Sequence, residues 1–227
     1  MISHRYECIF IHIPKCAGTS IETALGHLDN HTGRDGQDHR TIRMIEQPYL
    51  IPKAFCSKEN IIEVLRRIKY QYFNHAYNQR NKIRVTKQQY KLYFKFTVVR
   101  NPWSRAFSWY KNVVRDEIHL KTYGIDNDIS LRDFLVLFAG KGMLRPQLHW
   151  IKSFDDSIPL DYIGRFENLS EDVHEIFRHL NLKDVSLPHK VKGKSEDYRR
   201  YYDEEANDII LNIYKDDIDT FGYSFDS

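Results

Sequence analysis

The stretch CIFIHIPKCAGTSIETAL, residues 8–25, decides the fold of this chain. Its first six residues, 8–13, are almost all apolar and stop at Pro14, which predicts a short buried strand. A turn that contains a glycine follows at 14–18, and the apolar spacing after it predicts a helix over 19–27. The segment is therefore predicted to be a strand, a tight turn and a helix in direct succession.

Strands continue to alternate with helices along the rest of the chain. The predicted elements are strands at 93–99 and 161–166 and helices at 102–115, 169–180 and 203–221. This alternation predicts an α/β fold with a mainly parallel sheet. Ligands of such sheets bind beyond the carboxyl ends of the strands, so we expect the site at the turns after Ile13 and Val99.

Two of the predicted helices carry regular apolar spacing. The helix that Ser57 would cap has its apolar residues at Ile61, Leu65, Ile68 and Tyr72. The helix that begins at Asn101-Pro102 has an apolar stripe of Trp103, Ala106, Phe107, Tyr110 and Val114. The same helix has a polar row of Ser104, Ser108, Lys111 and Arg115. The second helix thus offers one face to a core and another to a ligand.

Charge is unevenly distributed, although the net charge is only +3. Residues 64–115 contain 13 Lys and Arg and no Asp or Glu, which suggests an anionic ligand near the middle of the chain or a solvated basic face. Three cysteines are too few for a disulfide framework and favour a reducing, cytoplasmic compartment. Length and composition predict one domain over 1–227, with an insertion that holds a basic polar segment at about 53–92.

The turn after the first strand has the chemistry of a phosphate site. Small residues let the backbone approach a ligand, and the start of a helix offers free N–H groups to an anion. Lys15 adds a positive charge, and Thr19 and Ser20 add hydroxyl donors. The ATP-type P-loop pattern is absent because the lysine precedes Gly18 by three residues instead of following a glycine directly.

This turn resembles the 5′-phosphosulfate loop of sulfotransferases that use 3′-phosphoadenosine-5′-phosphosulfate (PAPS). The residues that carry the resemblance are Pro14, Lys15, Cys16, Ala17, Gly18, Thr19 and Ser20, preceded by Phe10-Ile11-His12-Ile13. The similarity is greatest to the carbohydrate-type group, which includes heparan sulfate 2-O-sulfotransferases and chondroitin sulfotransferases, and to its bacterial relatives. It implies a P-loop-like three-layer sandwich with a central sheet and helices on both faces.

The resemblance also implies a site for the 3′-phosphate of PAPS. It expects an arginine at the end of a strand and a serine eight residues later, which Arg100 and Ser108 provide. An arginine presents a planar fork of donors that suits a phosphate, and Ser108 lies on the polar row of its helix. The alternative is that Arg100 only caps or pairs with a carboxylate and that Ser108 is a surface hydroxyl.

Further similarity to the bacterial relatives covers 145–150, 161–169, 221–225 and 189–203. In the family a basic, tyrosine-bearing loop near the C-terminus folds over the cofactor. The match implies this role for Lys194, Ser195 and Tyr198, although a plain surface loop would look the same in sequence.

The acceptor hydroxyl needs a general base, and histidine has the suitable pKa. In the carbohydrate-type relatives the base is a histidine between the two cofactor motifs, and the segment around His39 matches it best. His75 is the next candidate, whereas His12 is expected to pack beside the strand end. A pH profile that rises through the usual pKa of histidine would accompany this role.

These features predict in-line transfer of a sulfuryl group from PAPS to a hydroxyl or amine, with 3′,5′-adenosine bisphosphate (PAP) as product. Lys15 would stabilise the leaving group, and His39 would take the acceptor proton. The acceptor would be a hydroxylated compound, with carbohydrate as the class that the resemblance favours. The spacing of His, Cys and acids predicts no metal, no apolar run is long enough for a membrane span, and oligomeric state is left open.

Two other function classes compete with this hypothesis. A nucleotide-dependent kinase on a related fold is disfavoured by the lysine's position and by the lack of a strand that ends in a Walker-B-type aspartate. A nucleic-acid-binding protein would use the basic segment, but no zinc-finger, RNP or helix-turn-helix pattern supports it, and we expect no nucleic-acid partner.

Overall fold

The computed structural model describes residues 1–46, 51–73, 77–182 and 196–227. Within them it confirms an α/β fold with a four-stranded, mainly parallel sheet. The strands, in sheet order, are β1 Ile2–Ser3, β2 Cys8–Ile11, β3 Phe94–Val99 and β4 Tyr162–Arg165. β1 pairs with β2 antiparallel, and the pairs β2–β3 and β3–β4 are parallel. The edge strand β1 was not predicted, because two residues are too short for a period to show.

The described α-helices, in chain order, fill the intervals between and after these strands. They are α1 Gly18–Ala24, α2 Ile42–Ile45, α3 Lys58–Ile68, α4 Lys87–Leu92, α5 Pro102–Val114, α6 Glu117–Tyr123, α7 Leu131–Phe138, α8 Gln147–Ile151, α9 Leu169–His179, α10 Glu204–Ile213 and α11 Lys215–Phe221. The contacts group into two compact units. A sheet unit comprises Met1–Ile13, Ala17–Val99 and His149–Lys190, and a helical unit comprises Pro14–Cys16, Arg100–Leu148 and Val191–Ser227. The prediction of one domain stays a prediction.

In the sheet unit, β2 is completely buried, and β3 is buried over most of its length. Ile11 is level with Thr97, whose hydroxyl donates to the Ile11 carbonyl at 2.7 Å. β2 ends there, two residues before the predicted end, because the Ile13 N–H turns back to the Ile11 carbonyl and Pro14 has no N–H. His12 and Ile13 therefore lie just beyond β2, at the carboxyl edge of the sheet.

In the helical unit, α5, α7 and α10 pack around one aromatic core. Its largest fully buried side chains include Trp103, Phe134 and Tyr214. The predicted stripe of α5 is confirmed at Trp103, Ala106 and Phe107. Toward the end of the helix the buried residues are Trp109 and Val113, whereas Tyr110 and Val114 of the predicted stripe are only partly buried.

The predicted helix 203–221 is two helices, with the break at Tyr214. The buried Tyr214 hydroxyl donates to the Leu144 carbonyl, and the Asp217 carboxylate accepts the N–H groups of Gln147 and Leu148. These tertiary bonds fix the direction of α11, and sequence periodicity does not encode them. The second of these helices ends at Gly222, which takes the left-handed conformation.

The orientation of α3 was not foreseeable from its apolar spacing. Ser57 caps the helix as predicted, but Ile61, Leu65 and Ile68 are exposed. The buried side contains Glu63, which accepts a hydrogen bond from the Thr41 hydroxyl. Polar bonds, rather than the apolar stripe, therefore orient the helix. Asn168 directly precedes α9 but makes no side-chain cap.

Candidate active site

The end of β2 places a histidine against the first residue of α1. His12 is buried, and its ring lies where a side chain of Gly18 would project: a Cβ there would be 2.0 Å from His12 Cδ2. Only glycine avoids this clash, so Gly18 has a packing role beside the phosphate-binding role predicted for it.

The start of α1 leaves its first N–H groups without a capping side chain. Ala17 takes the left-handed conformation, with φ of 61°, and no described side chain caps the helix. The carbonyl of Ala17 accepts from the N–H groups of Ser20 and Ile21, while Thr19 and Ser20 are half-buried. Thr19 and Ser20 therefore lie at the helix start, where the sequence predicted phosphate contacts.

His39 lies beside His12 in the sheet unit. The rings have centroids 4.2 Å apart, and His39 Nδ1 is 3.3 Å from the His12 carbonyl oxygen. The Trp150 ring packs against another side of the His39 ring, and the two ring centroids are 6.3 Å apart. If the Nδ1–H donates to the carbonyl, Nε2 carries the free lone pair, and this is the nitrogen that can accept a proton.

A buried carboxylate connects the two histidine segments. Glu22 Oε1 accepts the N–H of Asp38 at 3.0 Å and lies 3.1 Å from His12 Nδ1. Asp38 in turn is paired with the buried guanidinium of Arg40. Burial opposes ionisation of Asp38, but Arg40 outweighs it and holds the pKa of Asp38 below its usual range. Glu22 and the Asp38–Arg40 pair, neither of which was predicted, thus fix the backbone on which His39 sits.

Burial makes His39 a weak base. It lowers the pKa of His39 to about 3, with a further contribution from the neighbouring His12, while Glu22 acts in the opposite direction. The imidazole is therefore neutral at physiological pH, as a general base requires. The acid limb of the pH–rate profile, predicted in the usual histidine range, is therefore expected at far lower pH.

In the helical unit, Arg105 holds the segment that carries the lysine. Its side chain is 1% exposed and donates to the carbonyls of Pro14, Met143 and Arg145 at 2.7–3.0 Å. Sequence reasoning missed this residue, although an arginine directly before the stripe residue Ala106 was an available signal.

Lys15 reaches α5 from this segment. Its Nζ donates to Asn112 Oδ1 at 3.2 Å and lies 6.0 Å from the centre of the Trp109 ring. Burial, with a contribution from the Arg100 guanidinium, lowers the pKa of Lys15 to about 8. The ammonium is still mostly charged at neutral pH, and an anion beside it would be favoured. Asn112 was not predicted.

Arg100 lies at the other end of the same helical face. Its Nε donates to Ser104 Oγ at 3.0 Å, and its NH1 donates to the Lys15 carbonyl at 3.1 Å. Gln147 holds its backbone by two bonds of 2.8 Å, one from the Arg100 N–H and one to its carbonyl. Arg100 is thus anchored at the backbone, while its side chain lies beside the polar row.

The polar row of α5 brings the predicted donor-site residues together. Asn112 lies on the same face as Ser104 and Ser108 of this row. The three side chains are four residues apart and span about 12 Å along the helix. Arg100 contacts the first of them and Lys15 contacts the last. Ser108, between them, is half-buried, and its hydroxyl makes no hydrogen bond to another described residue. A serine hydroxyl between two cations is suited to an anion with more than one phosphate.

Cys16 is buried in the same unit, with Sγ 3.6 Å from Gln147 Oε1. Its thiol packs inside the unit, so any contact with a ligand would use its backbone. Gln147 lies in the 145–150 stretch, which resembles the bacterial relatives but for which no role was predicted.

The C-terminal loop is described only in part. Lys194 and Ser195 lie outside the described residues, as does the alternative base His75. Tyr198 is buried, and its hydroxyl donates to the Phe225 carbonyl. Glu196, next to this loop, pairs with Lys111 on α5 at 2.9 Å and with Arg115, directly after that helix, at 3.1 Å. The cofactor role of Tyr198 stays a prediction.

The described residues contain neither a candidate metal site nor a candidate membrane span. Among the described residues, no group of three or more His, Cys, Asp and Glu is arranged to hold a metal ion. None of the helices in the described part of the chain is long and apolar enough to cross a membrane.

Comparison with known proteins identifies the family of the chain. The chain has no significant match among curated proteins or among solved structures. The profile of the Sulfotransferase family, however, matches residues 1–224, which is nearly the whole chain, and this family fits a P-loop-like fold. The chain therefore belongs to the sulfotransferase family.

Proposed function

We propose that this sulfotransferase takes its sulfuryl group from PAPS and transfers it to a hydroxyl or amine of an acceptor, with carbohydrate as the favoured class. The observation that carries the proposal is the row of donors in the helical unit, where Ser108 stands between residues contacted by Arg100 and by Lys15. PAPS is an anion with a 3′-phosphate and a 5′-phosphosulfate, so it needs two separate groups of cationic and hydroxyl donors.

The residues present fit this donor. Lys15, the half-buried hydroxyls of Thr19 and Ser20, and the backbone N–H groups around Gly18 would hold the 5′-phosphosulfate. Arg100 and Ser108 would hold the 3′-phosphate, which ATP lacks. The unbonded Ser108 hydroxyl and the depressed pKa of Lys15, which burial causes, are the features expected where an anion completes the site.

The reaction needs a proton acceptor and charge stabilisation. Bound PAPS supplies an activated sulfuryl group. His39 takes the acceptor proton at Nε2 as the acceptor oxygen forms its bond to sulfur. Lys15 stabilises the negative charge that collects on the leaving phosphate as the old sulfur–oxygen bond breaks.

Glu22 and His12 would act as positioning residues. Glu22 holds the Asp38 N–H, and the His12 carbonyl holds His39 Nδ1, so Nε2 is left for the acceptor. These bonds fix both the tautomer and the direction of the base.

The kinase alternative has less support. Lys15 precedes Gly18 and bonds Asn112 on α5, whereas a P-loop lysine follows its glycine directly. A cytoplasmic location also stays a proposal, which rests on the few cysteines of the sequence.

The direct test is an acceptor screen with isotope-labelled PAPS, read by mass spectrometry. Wild-type protein should label at least one hydroxylated compound in a panel of saccharides, lipids and small metabolites, and His39→Ala should not. The proposal would be wrong if the wild type transferred phosphate from ATP to the same compounds and left PAPS intact.

A further inference from the structure

The sheet unit contains a cavity that the proposed chemistry does not use. Its volume is about 240 Å³, which suits a small molecule rather than a macromolecule. The lining comes from β1, α2, α3 and the segments 70–72 and 81–85, and Arg40 borders it as well. Part of the basic stretch at 64–115 therefore lines this cavity.

The polar part of the lining is basic. Arg67, Lys82 and Arg84 line it, together with Arg40, and no acidic residue among the described ones does. The charge of Arg40 is balanced by its bidentate pair with Asp38. Lys82 and Arg84 have no acidic partner in the described ranges.

The neighbouring cations act on each other. Burial lowers the pKa of Arg67, and the Arg84 guanidinium adds to this, although Glu46 opposes it. An oxyanion between these side chains would remove the repulsion and gain several charge-assisted hydrogen bonds.

The rest of the lining is apolar and aromatic. Met44 and Val64 form part of the apolar wall, and the Tyr72 ring stands at the rim with the Arg84 guanidinium 5.6 Å from its centre. A ligand that fills the cavity would therefore have a charged head and an apolar body.

The cavity is separate from the base. Arg40 and His39 are adjacent in sequence, but their side chains have different contacts, and His39 is not among the residues that line the cavity. His39 contacts His12 and Trp150, while Arg40 lies over Tyr70 on the cavity side. A ligand here would not touch the imidazole.

We propose that this cavity is a second binding site, for a small molecule that carries a sulfate or phosphate ester on an apolar body. Lys82, Arg84 and Arg67 bind the oxyanion, and the wall formed by Met44, Val64 and the Tyr72 ring takes the body. The site is independent of the donor nucleotide, so it stands or falls separately from the proposed function.

The test is calorimetric titration of phenyl phosphate into full-length protein saturated with PAP. The expected result is one binding event, tighter than that of inorganic phosphate because of the apolar wall. The double variant Lys82→Ala/Arg84→Ala should weaken it by about tenfold or more. Lys87→Ala/Lys91→Ala removes two exposed cations on α4 outside the cavity and should leave the affinity unchanged.

Two outcomes would overturn the proposal: no binding of phenyl phosphate to wild-type protein, or an equal loss in both double variants. The second would show only general attraction of an anion to a basic surface. If PAP itself fails to bind, the titration is repeated without it, with Arg100→Ala as a control whose affinity should be unchanged. A loss in that variant would assign the binding to the donor site and also contradict the proposal.

Discussion

Lys15 and His39, the two residues proposed for catalysis, experience the same physical effect with opposite consequences. Burial is the main cause of a lowered pKa in both: to about 8 for Lys15 and to about 3 for His39. At neutral pH the lysine is still mostly protonated, whereas the histidine is entirely neutral. One therefore offers charge to an anion, and the other offers a lone pair to a proton.

The surroundings of the two residues explain why their pKa values differ. Lys15 contacts the Asn112 amide and the Trp109 ring, and the nearby Arg100 guanidinium adds to the effect of burial, while Cys16 opposes it. His39 packs against a second histidine, and the carboxylate of Glu22 offsets only part of that effect. The difference teaches that burial of the same kind can leave one residue charged and another neutral at the same pH, and mutation of each residue tests this.

The largest effect is expected for His39→Ala. Loss of a general base should lower kcat by about 10²–10⁴-fold, while PAP affinity stays unchanged because the imidazole contacts only the acceptor. In the wild type, kcat should stay flat from about pH 7 down to about 5, since His39 is protonated only near pH 3 and Lys15 loses its proton only near pH 8. Steady-state rates over this pH range, with matched titrations of PAP, provide the check.

His174→Ala is the matched control, since this histidine is exposed on α9. A wild-type acid limb near pH 6.5 would contradict the buried setting of His39. Full activity of His39→Ala would move the base elsewhere, with His75 as the next residue to change.

The next effect is expected for Arg100→Ala. Removal of charge-assisted bonds to the 3′-phosphate should cost about 2–3 kcal/mol of PAP binding, or roughly 30- to 150-fold. The fold should persist, because Gln147 holds the backbone of this residue rather than its side chain. Calorimetric titration of PAP into both proteins measures this loss. Unchanged PAP affinity would show that Arg100 has only a structural role.

Lys15 should make PAP binding depend on pH in the alkaline range. Its lowered pKa of about 8 means that affinity is constant below that pH and falls as the ammonium loses its proton above it. By pH 10 the loss should approach about tenfold, the value of one charge-assisted bond. Lys15→Arg should remove this dependence, and an affinity that stays level to pH 10 in the wild type would place Lys15 away from the phosphate.

The smallest effect is expected for Glu22→Gln. Weakening of one buried hydrogen bond is worth about 1 kcal/mol, so kcat should fall about fivefold while KM for PAPS stays the same. The measurement is a full kinetic comparison together with a melting curve. A lower melting temperature with unchanged kcat would show that Glu22 only stabilises the fold.

The sequence predicted the part of the fold that local patterns encode. The strand–turn–helix at 8–25, the strand ending at Val99, and Asn101 capping the helix that follows all depend on short-range chemistry, and each was confirmed within a few residues. The orientation of α3 and the break at Tyr214 depend on hydrogen bonds to distant segments. No periodicity carries that information.

The candidate site divides in the same way. Lys15, Arg100 and Ser108 could be located because a motif fixes their spacing, and the helical row of α5 brings them together. Arg105, Asn112, Gln147 and Glu22 could not, because each acts through a contact with a residue remote in sequence. A buried arginine, glutamine or glutamate has no local signature apart from its unexpected place beside apolar residues.

The central claim is that the donor site selects a nucleotide with a 3′-phosphate. It is tested most directly by melting the wild-type protein with PAP and, separately, with ATP at the same concentration. At about 100 times its Kd, PAP should stabilise the protein by about 2.7 kcal/mol and raise Tm by about 5–10 °C, while ATP should have little effect. Equal stabilisation by ATP would contradict the assignment of Arg100 and Ser108 and, with it, the proposed use of PAPS.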